Sequence, residues 1–161
     1  MEASNKKQAF LLLTAKATPT ITDFYQTLRE ATSHLGDAFV LYHQQEQELP
    51  GKLEKVHHFA FDESKLSELN FVPIGFRVVP GNTHFPLFAF LDMNPGYDYY
   101  WVIEDDVRFS GDWKYFFDSF SAVDKDFLTS HIRTSAQEPD WPWWPYLANP
   151  YRVIPFEDRV R

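Results

Sequence analysis

The stretch YYWVIEDDVRFSGDW, residues 99–113, decides how the rest of the chain is read. Tyr100, Trp101, Val102 and Ile103 are aromatic or β-branched, which suits a buried strand. Glu104, Asp105 and Asp106 follow with no turn residue between them. Carboxylates crowded at a strand end repel one another and lose hydration, so something positive belongs beside them. Alternation along an extended segment puts Glu104 and Asp106 on one side and Asp105 on the other. Two carboxylates on one side are hard oxygen ligands suited to Mn2+ or Mg2+, and such an ion offsets their repulsion.

Outward from this stretch, strand and helix signals alternate. AFLLLTA (9–15) is a continuous apolar run of the kind found in parallel strands buried on both faces. TITDFYQTLREATSHLG then reads as a helix capped by Thr20 or Thr22, with Phe24, Leu28, Ala31 and Leu35 on its apolar face and Gly36 ending it. DAFVLYHQ (37–44) and VHHFAF (56–61) are strands joined by the polar surface connection QEQELPGKLEK, and DESKLSEL (62–69) starts as a short capped helix. NFVPIGFRVVPGN (70–82) is loop by its prolines and glycines. THFPLFAFLDMN (83–94) reads as a helix capped by Thr83, with Pro86 in its tolerant first turn. GDWKYFFDSFSAV (111–123) is the next helix and DFLTSHI (126–132) a further strand. The pattern predicts one domain over residues 1–161: a three-layer α/β/α sandwich with a mostly parallel sheet, its segment 133–161 an irregular Trp/Pro-rich tail. In such sheets ligands bind beyond the carboxyl ends of strands, near a switch in strand order, and the three carboxylates occupy such an end.

Composition narrows the function classes. A net charge of -8 without a Lys/Arg cluster argues against nucleic-acid binding, which needs clustered cations to follow phosphates. Cysteine is absent, which excludes disulfides and thiolate metal sites. The apolar run from Ala9 to Leu13 is too short for a signal peptide or a membrane span, so the expectation is a cytoplasmic protein. Phosphate-loop, dinucleotide-binding, nucleophile-elbow and zinc-protease motifs are all missing. The aromatic share of 18% serves core packing, and it also suits flat ligands such as bases and sugar rings.

An aromatic strand, an acidic triplet and then VRFSGDW resembles the metal-binding segment of GT-A glycosyltransferases. In those nucleotide-diphospho-sugar transferases, which are Rossmann-like, a D-x-D or E-D-D motif ends a central strand. DYYWVIEDDVRFSGDWKYFF, with DFLTSHIR and WPWW after it, resembles a family of capsular-polysaccharide and related glycosyltransferases over roughly residues 9–145. The resemblance implies a nucleotide-sugar donor, a divalent metal and transfer to an unknown glycan or other acceptor. Asp106 matches the metal ligand. Glu104 matches the first acidic position, which approaches the donor or binds metal through water, and Asp105 is placed to contact the donor sugar. Thr14, Ala15 and Lys16, after the first strand, become candidates for base or ribose contact, and Asp62, after the third strand, for a uracil or guanine N–H. Thr14 reads equally well as a loop residue and Asp62 as a helix cap.

The remaining candidates each carry two readings. Asn82, Thr83 and His84 open a helix whose N-terminus attracts phosphate, or form a plain cap with a surface His. His57 and His58 are adjacent on a strand, point to opposite faces and read as packing residues, and His131 reads as a satisfied polar group or a neighbour of the site. Trp143 and Trp144, within DWPWWPY, stack on a sugar ring or plug the sheet edge. GT-A enzymes ordinarily carry a second half with an acceptor site and, where inverting, a carboxylate base; Asp140, Glu157 and Asp158 sit in no base motif. Three expectations stay open: a compact enzyme, a portion of a longer one that self-associates or acts weakly alone, and a non-catalytic nucleotide-binding relative.

Overall fold

β1, Gln8–Thr14, is buried along nearly its whole length, and only Leu13 is half-exposed. A strand apolar on both faces needs partners on both edges and a layer over each face. It has the edges: β2 (Gly36–His43) pairs with it in parallel from Gln8↔Gly36 to Thr14↔Tyr42, and β4 (Tyr99–Glu104) in parallel from Gln8↔Tyr99 to Leu13↔Glu104. β3 (His58–Phe61) adds in parallel outside β2, giving the order β3-β2-β1-β4. This computed structural model describes residues 6–45, 48–69, 78, 83–129 and 133–142. They fall into two compact units, one within residues 1–71 and 85–123 and the other within 72–84 and 124–161; the sheet belongs to the first.

Both faces of the sheet are covered by helices. On one, Phe10, Leu12, Val40 and Ile103 meet Ile21, Tyr25 and Leu28 of α1 (Pro19–Thr32) and Phe117 of α4 (Trp113–Ser121). On the other, α3 (Phe85–Met93) lays Phe90 among Phe39, Phe59 and Tyr100, with ring centroids 5.0, 5.5 and 6.3 Å away. The short α2 (Glu63–Ser67) follows β3. The architecture is α/β with an all-parallel sheet of four strands among the described residues. No described helix is long and apolar enough to cross a membrane.

Several expectations shift. The buried stripe of α1 is Ile21, Tyr25, Leu28 and Thr32; of the expected Phe24, Leu28, Ala31 and Leu35, Leu28 and Leu35 are buried, while Phe24 and Ala31 are half-buried one step out of phase. Tyr25 buries its ring, and its hydroxyl oxygen accepts from the His57 N–H at 3.2 Å. The helix starts at Pro19 rather than after a Thr20 or Thr22 cap; Thr18 holds the cap position without a side-chain hydrogen bond, and proline suits the first helical turn. Gly36 does not end α1, which stops at Thr32; it opens β2. A Cβ there would lie 1.8 Å from the Gln8 carbonyl oxygen, so glycine is required by the approach of two backbones. Leu53 is fully buried although it belongs to the polar connection before β3. β4, expected to be a buried strand, is the outer strand of the described sheet, with Ile103 buried and Val102 41% exposed. Residues 126–129 form no strand, and residues 130–132 with His131 lie outside the described residues.

In the second unit, residues 134–138 form a turn in which the Gln137 N–H donates to the Thr134 carbonyl at 3.0 Å and the Gln137 side chain accepts from the Thr134 N–H at 2.9 Å. Trp143 and Trp144, and Glu157 and Asp158 after them, lie outside the described residues.

Two substitutions test the packing. Phe117 is 1% exposed and touches Phe10, Trp101 and Trp113, so Phe117→Ala is expected to cost about 3–5 kcal/mol of stability in denaturant melts. Asp112 caps α4 by accepting from the Tyr115 N–H at 2.9 Å, so Asp112→Ala is expected to cost about 1 kcal/mol.

Candidate functional site

The strand order itself creates a crevice. From β1 the chain moves through α1 to β2 and on to β3 in one direction, whereas β4 lies on the other side of β1. The strand order therefore reverses between β1 and β4, and the gap beyond their carboxyl ends is where open parallel sheets bind ligands. β1 ends in Thr14 and β4 in Glu104, one register step apart. The acidic triplet sits at this switch point.

The backbone turns at once after β4. The Val107 N–H donates to the Glu104 carbonyl at 3.1 Å, which makes Asp105 and Asp106 the middle residues of a turn. The strand-like alternation expected of Glu104 and Asp106 therefore stops at Glu104. Asp105 reaches back to β1, where the Thr14 hydroxyl donates to its Oδ2 at 2.6 Å and the Lys16 ammonium lies 3.0 Å from its Oδ1. The same hydroxyl accepts from the Lys16 N–H at 2.9 Å, so Thr14 fixes both the loop after β1 and the carboxylate facing it. Arg108 closes the turn from beneath, its Nη1 donating to the carbonyls of Asp105 at 3.0 Å and Val107 at 2.8 Å. The positive charge the triplet calls for is Lys16, with Arg108 behind it.

These partners set the protonation of Asp105. Burial is the largest influence and pushes its pKa up, but the Thr14 and Lys16 hydrogen bonds and the charges of Lys16 and Arg108 together outweigh it, and the pKa falls below the ordinary value. Asp105 is thus held as an anion. Its neighbours differ: Glu104 and Asp106 are exposed and have no side-chain partner among the described residues. Within those residues no three His, Asp or Glu side chains converge on a common point. The triplet divides into one anchored carboxylate and two open ones.

Alongside the turn lies a cleft of about 250 Å³ between α1 and the loop leading to α4. Ile21, Phe24, Phe109 and Trp113 form apolar walls, and Asp105 and Arg108 supply the charges. Phe109 packs against Trp113 and Phe116 with centroids 5.1 and 5.3 Å away, yet stays 40% exposed. Its ring lies directly on Gly111, where a Cβ would come within 2.6 Å of Cζ. Reading the sequence missed Arg108, Phe24 and Phe109. The sign that was present is the close F-S-G-D-W spacing, in which a glycine two residues after an aromatic leaves room for its ring.

The remaining candidates disperse. Asp62 caps α2, its Oδ1 accepting from the Lys65 N–H at 2.9 Å and the Ser64 hydroxyl at 2.7 Å, which lowers its pKa. It follows β3, three strand spacings from β4, or roughly 14 Å. Thr83 and His84 form a turn before α3, and Asn82 lies outside the described residues. His57 sits against Phe39 at 5.9 Å, and the His58 ring bonds to the Val56 carbonyl at 3.0 Å, both packing roles.

A family model described as "Protein of unknown function (DUF3405)" matches residues 53–128. That span takes in β3, α2, α3, β4, the acidic turn and α4, and leaves out β1 with Thr14 and Lys16. No curated protein and no solved structure matches the chain.

The anchoring of Asp105 predicts a direction under acid. Because its folded pKa lies below the unfolded one, its contribution to stability is complete above the unfolded value, about 4, and fades as pH falls through the folded value. Thr14→Val removes the hydroxyl's bonds to Asp105 and to the Lys16 backbone. It is expected to raise the Asp105 pKa in a carboxyl NMR titration and to cost about 1–2 kcal/mol at neutral pH. Lys16→Met is expected to raise the same pKa with a stability loss of no more than about 1 kcal/mol, since the Lys16 side chain is 63% exposed.

Proposed function

We propose that this chain is a glycosyltransferase-like domain of GT-A type that binds a nucleotide-sugar at the switch point between β1 and β4, with Glu104 and Asp106 holding a divalent cation. The observation that carries the reading is the division of the acidic turn. Asp105 is consumed in fixing the turn to β1, while Glu104 and Asp106 project without partners where ligands enter parallel sheets. Two open carboxylates fit magnesium or manganese, which are commonly held by one or two carboxylates together with water and phosphate oxygens. The cation, when bound, neutralises the diphosphate that leaves as the glycosidic bond forms.

The other residues have separate roles in this reading. Lys16 and Arg108 hold positive charge beside the turn in a chain of net charge -8, which draws a diphosphate to this edge of the sheet. Asp105, kept anionic, accepts hydrogen bonds from ribose or sugar hydroxyls without taking up their protons at neutral pH. That same property favours a second reading, a binding domain without turnover. Among the described residues Asp105 is the one carboxylate lining the cleft, and an anion with a lowered pKa is a weak general base. Release of nucleoside diphosphate from a donor panel, with and without sugar acceptors, separates the two readings.

Binding itself is tested by thermal shift with uridine and guanosine diphosphates and their sugar conjugates, with and without manganese. A ligand at 100 times its dissociation constant adds about 2.7 kcal/mol, which moves a domain of this size by several degrees. The expected result is a shift that needs nucleotide and manganese together and is largely lost in Asp106→Asn, whose amide keeps the shape and loses the charge. Identical metal responses in the wild type and Asp106→Asn rule out the proposed metal site.

A further inference from the structure

We infer that the cleft between α1 and the 105–113 loop is a subsite for a single pyranose ring, with Phe109 as its stacking platform and Asp105 and Arg108 as its hydroxyl partners. Its size selects the ligand class. About 250 Å³ is below the range of pockets that enclose drug-sized molecules, so a whole nucleotide-sugar does not fit but one six-membered ring does. Its lining then selects among rings. A purely apolar ring makes no use of Asp105 and Arg108, which keep lone pairs and N–H groups beyond those engaged by Thr14, Lys16 and the turn carbonyls. A pyranose offers C–H faces to aromatic planes and hydroxyls at its rim, and the cleft pairs aromatic walls with one strong acceptor and one strong donor group.

Phe109 is the most informative residue. An aromatic ring at 40% exposure loses free energy to water unless something covers it. Here it is held on three sides, by Gly111 beneath and Trp113 and Phe116 beside it, so its position is fixed before any ligand arrives. Gly111 is required for that position, because a Cβ would meet the ring at 2.6 Å. A fixed, partly exposed ring beside Asp105 and Arg108 is a platform built in advance, which reduces the ordering cost of binding. If the donor occupies the turn through Glu104 and Asp106, the ring beside Asp105 is the acceptor. That assignment rests on the transferase reading, whereas the ring site itself does not.

The test uses saturation-transfer NMR on the full chain with methyl glycosides of glucose, galactose, mannose and N-acetylglucosamine, without metal or nucleotide. A ligand of about a dozen heavy atoms is expected to bind in the millimolar range. At least one glycoside is expected to show transfer, Phe109→Ala to weaken it about tenfold, and Phe109→Trp to retain it. Gly111→Ala is expected to weaken it as well, through displacement of the Phe109 ring. No transfer from any glycoside, or equal transfer in wild type and Phe109→Ala, overturns the subsite. Displacement of the glycoside by uridine or guanosine diphosphate alone overturns the acceptor assignment by placing the cleft within the donor site. The manganese-dependent nucleotide shift, measured on the same preparation, tells failure of the ring site from failure of the transferase reading.

Discussion

Because β1 is paired in parallel along both edges and buried on both faces, the chain has no freedom in where β4 ends. The register that begins with Gln8↔Tyr99 must bring Glu104 level with Leu13, and the residue after each strand then faces the other across the crevice. At the opposite end of the sheet the alignment is locked by polar contacts. The Trp101 indole N–H donates to the buried Gln8 side chain at 2.7 Å, and Asp37 gathers the Lys7 ammonium and the Tyr97 hydroxyl, each at 2.9 Å. Burial, together with the Asp37 carboxylate, pushes the Tyr97 hydroxyl up to about 12, so it stays a donor throughout the physiological range. The position of the acidic turn follows from the packing of an apolar strand some distance from it.

At the turn, the sheet resolves a conflict that its own sequence creates. Three adjacent carboxylates repel, and desolvating one of them beside β1 adds a penalty. The Thr14–Lys16 loop offsets both for Asp105 by giving one carboxylate oxygen a hydroxyl and the other an ammonium. The exposed ion pair is worth little by itself, so the half-buried hydroxyl contact at 2.6 Å does more to fix the geometry. Nothing comparable meets Glu104 or Asp106 among the described residues.

Much of this was legible in the residues. The apolar runs of β1 and β2 are long enough to be unmistakable, and Asp62 announced a cap that the α2 backbone takes up. The α/β class with a parallel sheet followed from alternating strand and helix signals. What failed did so for local reasons. Tyr25 hides an apolar ring behind a polar hydroxyl, so the phase of α1 slipped toward Phe24. Gly36 resembles a helix terminator, but its role is set by Gln8, 28 residues earlier, which no local pattern reveals. Only an extended chain puts Glu104 and Asp106 on one side by alternation, and the Glu104–Val107 hydrogen bond bends the chain there. Arg108 acts on backbone carbonyls, a role without any sequence signature.

The pairing of Lys16 with Asp105 also constrains where a cation can sit. A divalent ion taking Asp105 as a ligand has to displace the ammonium and break the Thr14 contact, leaving a lysine next to a metal. In the proposed function an ion on Glu104 and Asp106 leaves that arrangement intact, and Lys16 keeps ammonium hydrogens beyond its Asp105 contact for a phosphate oxygen. In that proposal the cation and the ammonium do not compete for one carboxylate. Thr14 and Lys16 thereby engage the middle acid of the triplet and leave the outer two open, with Asp105 lining the cleft on the anchored side.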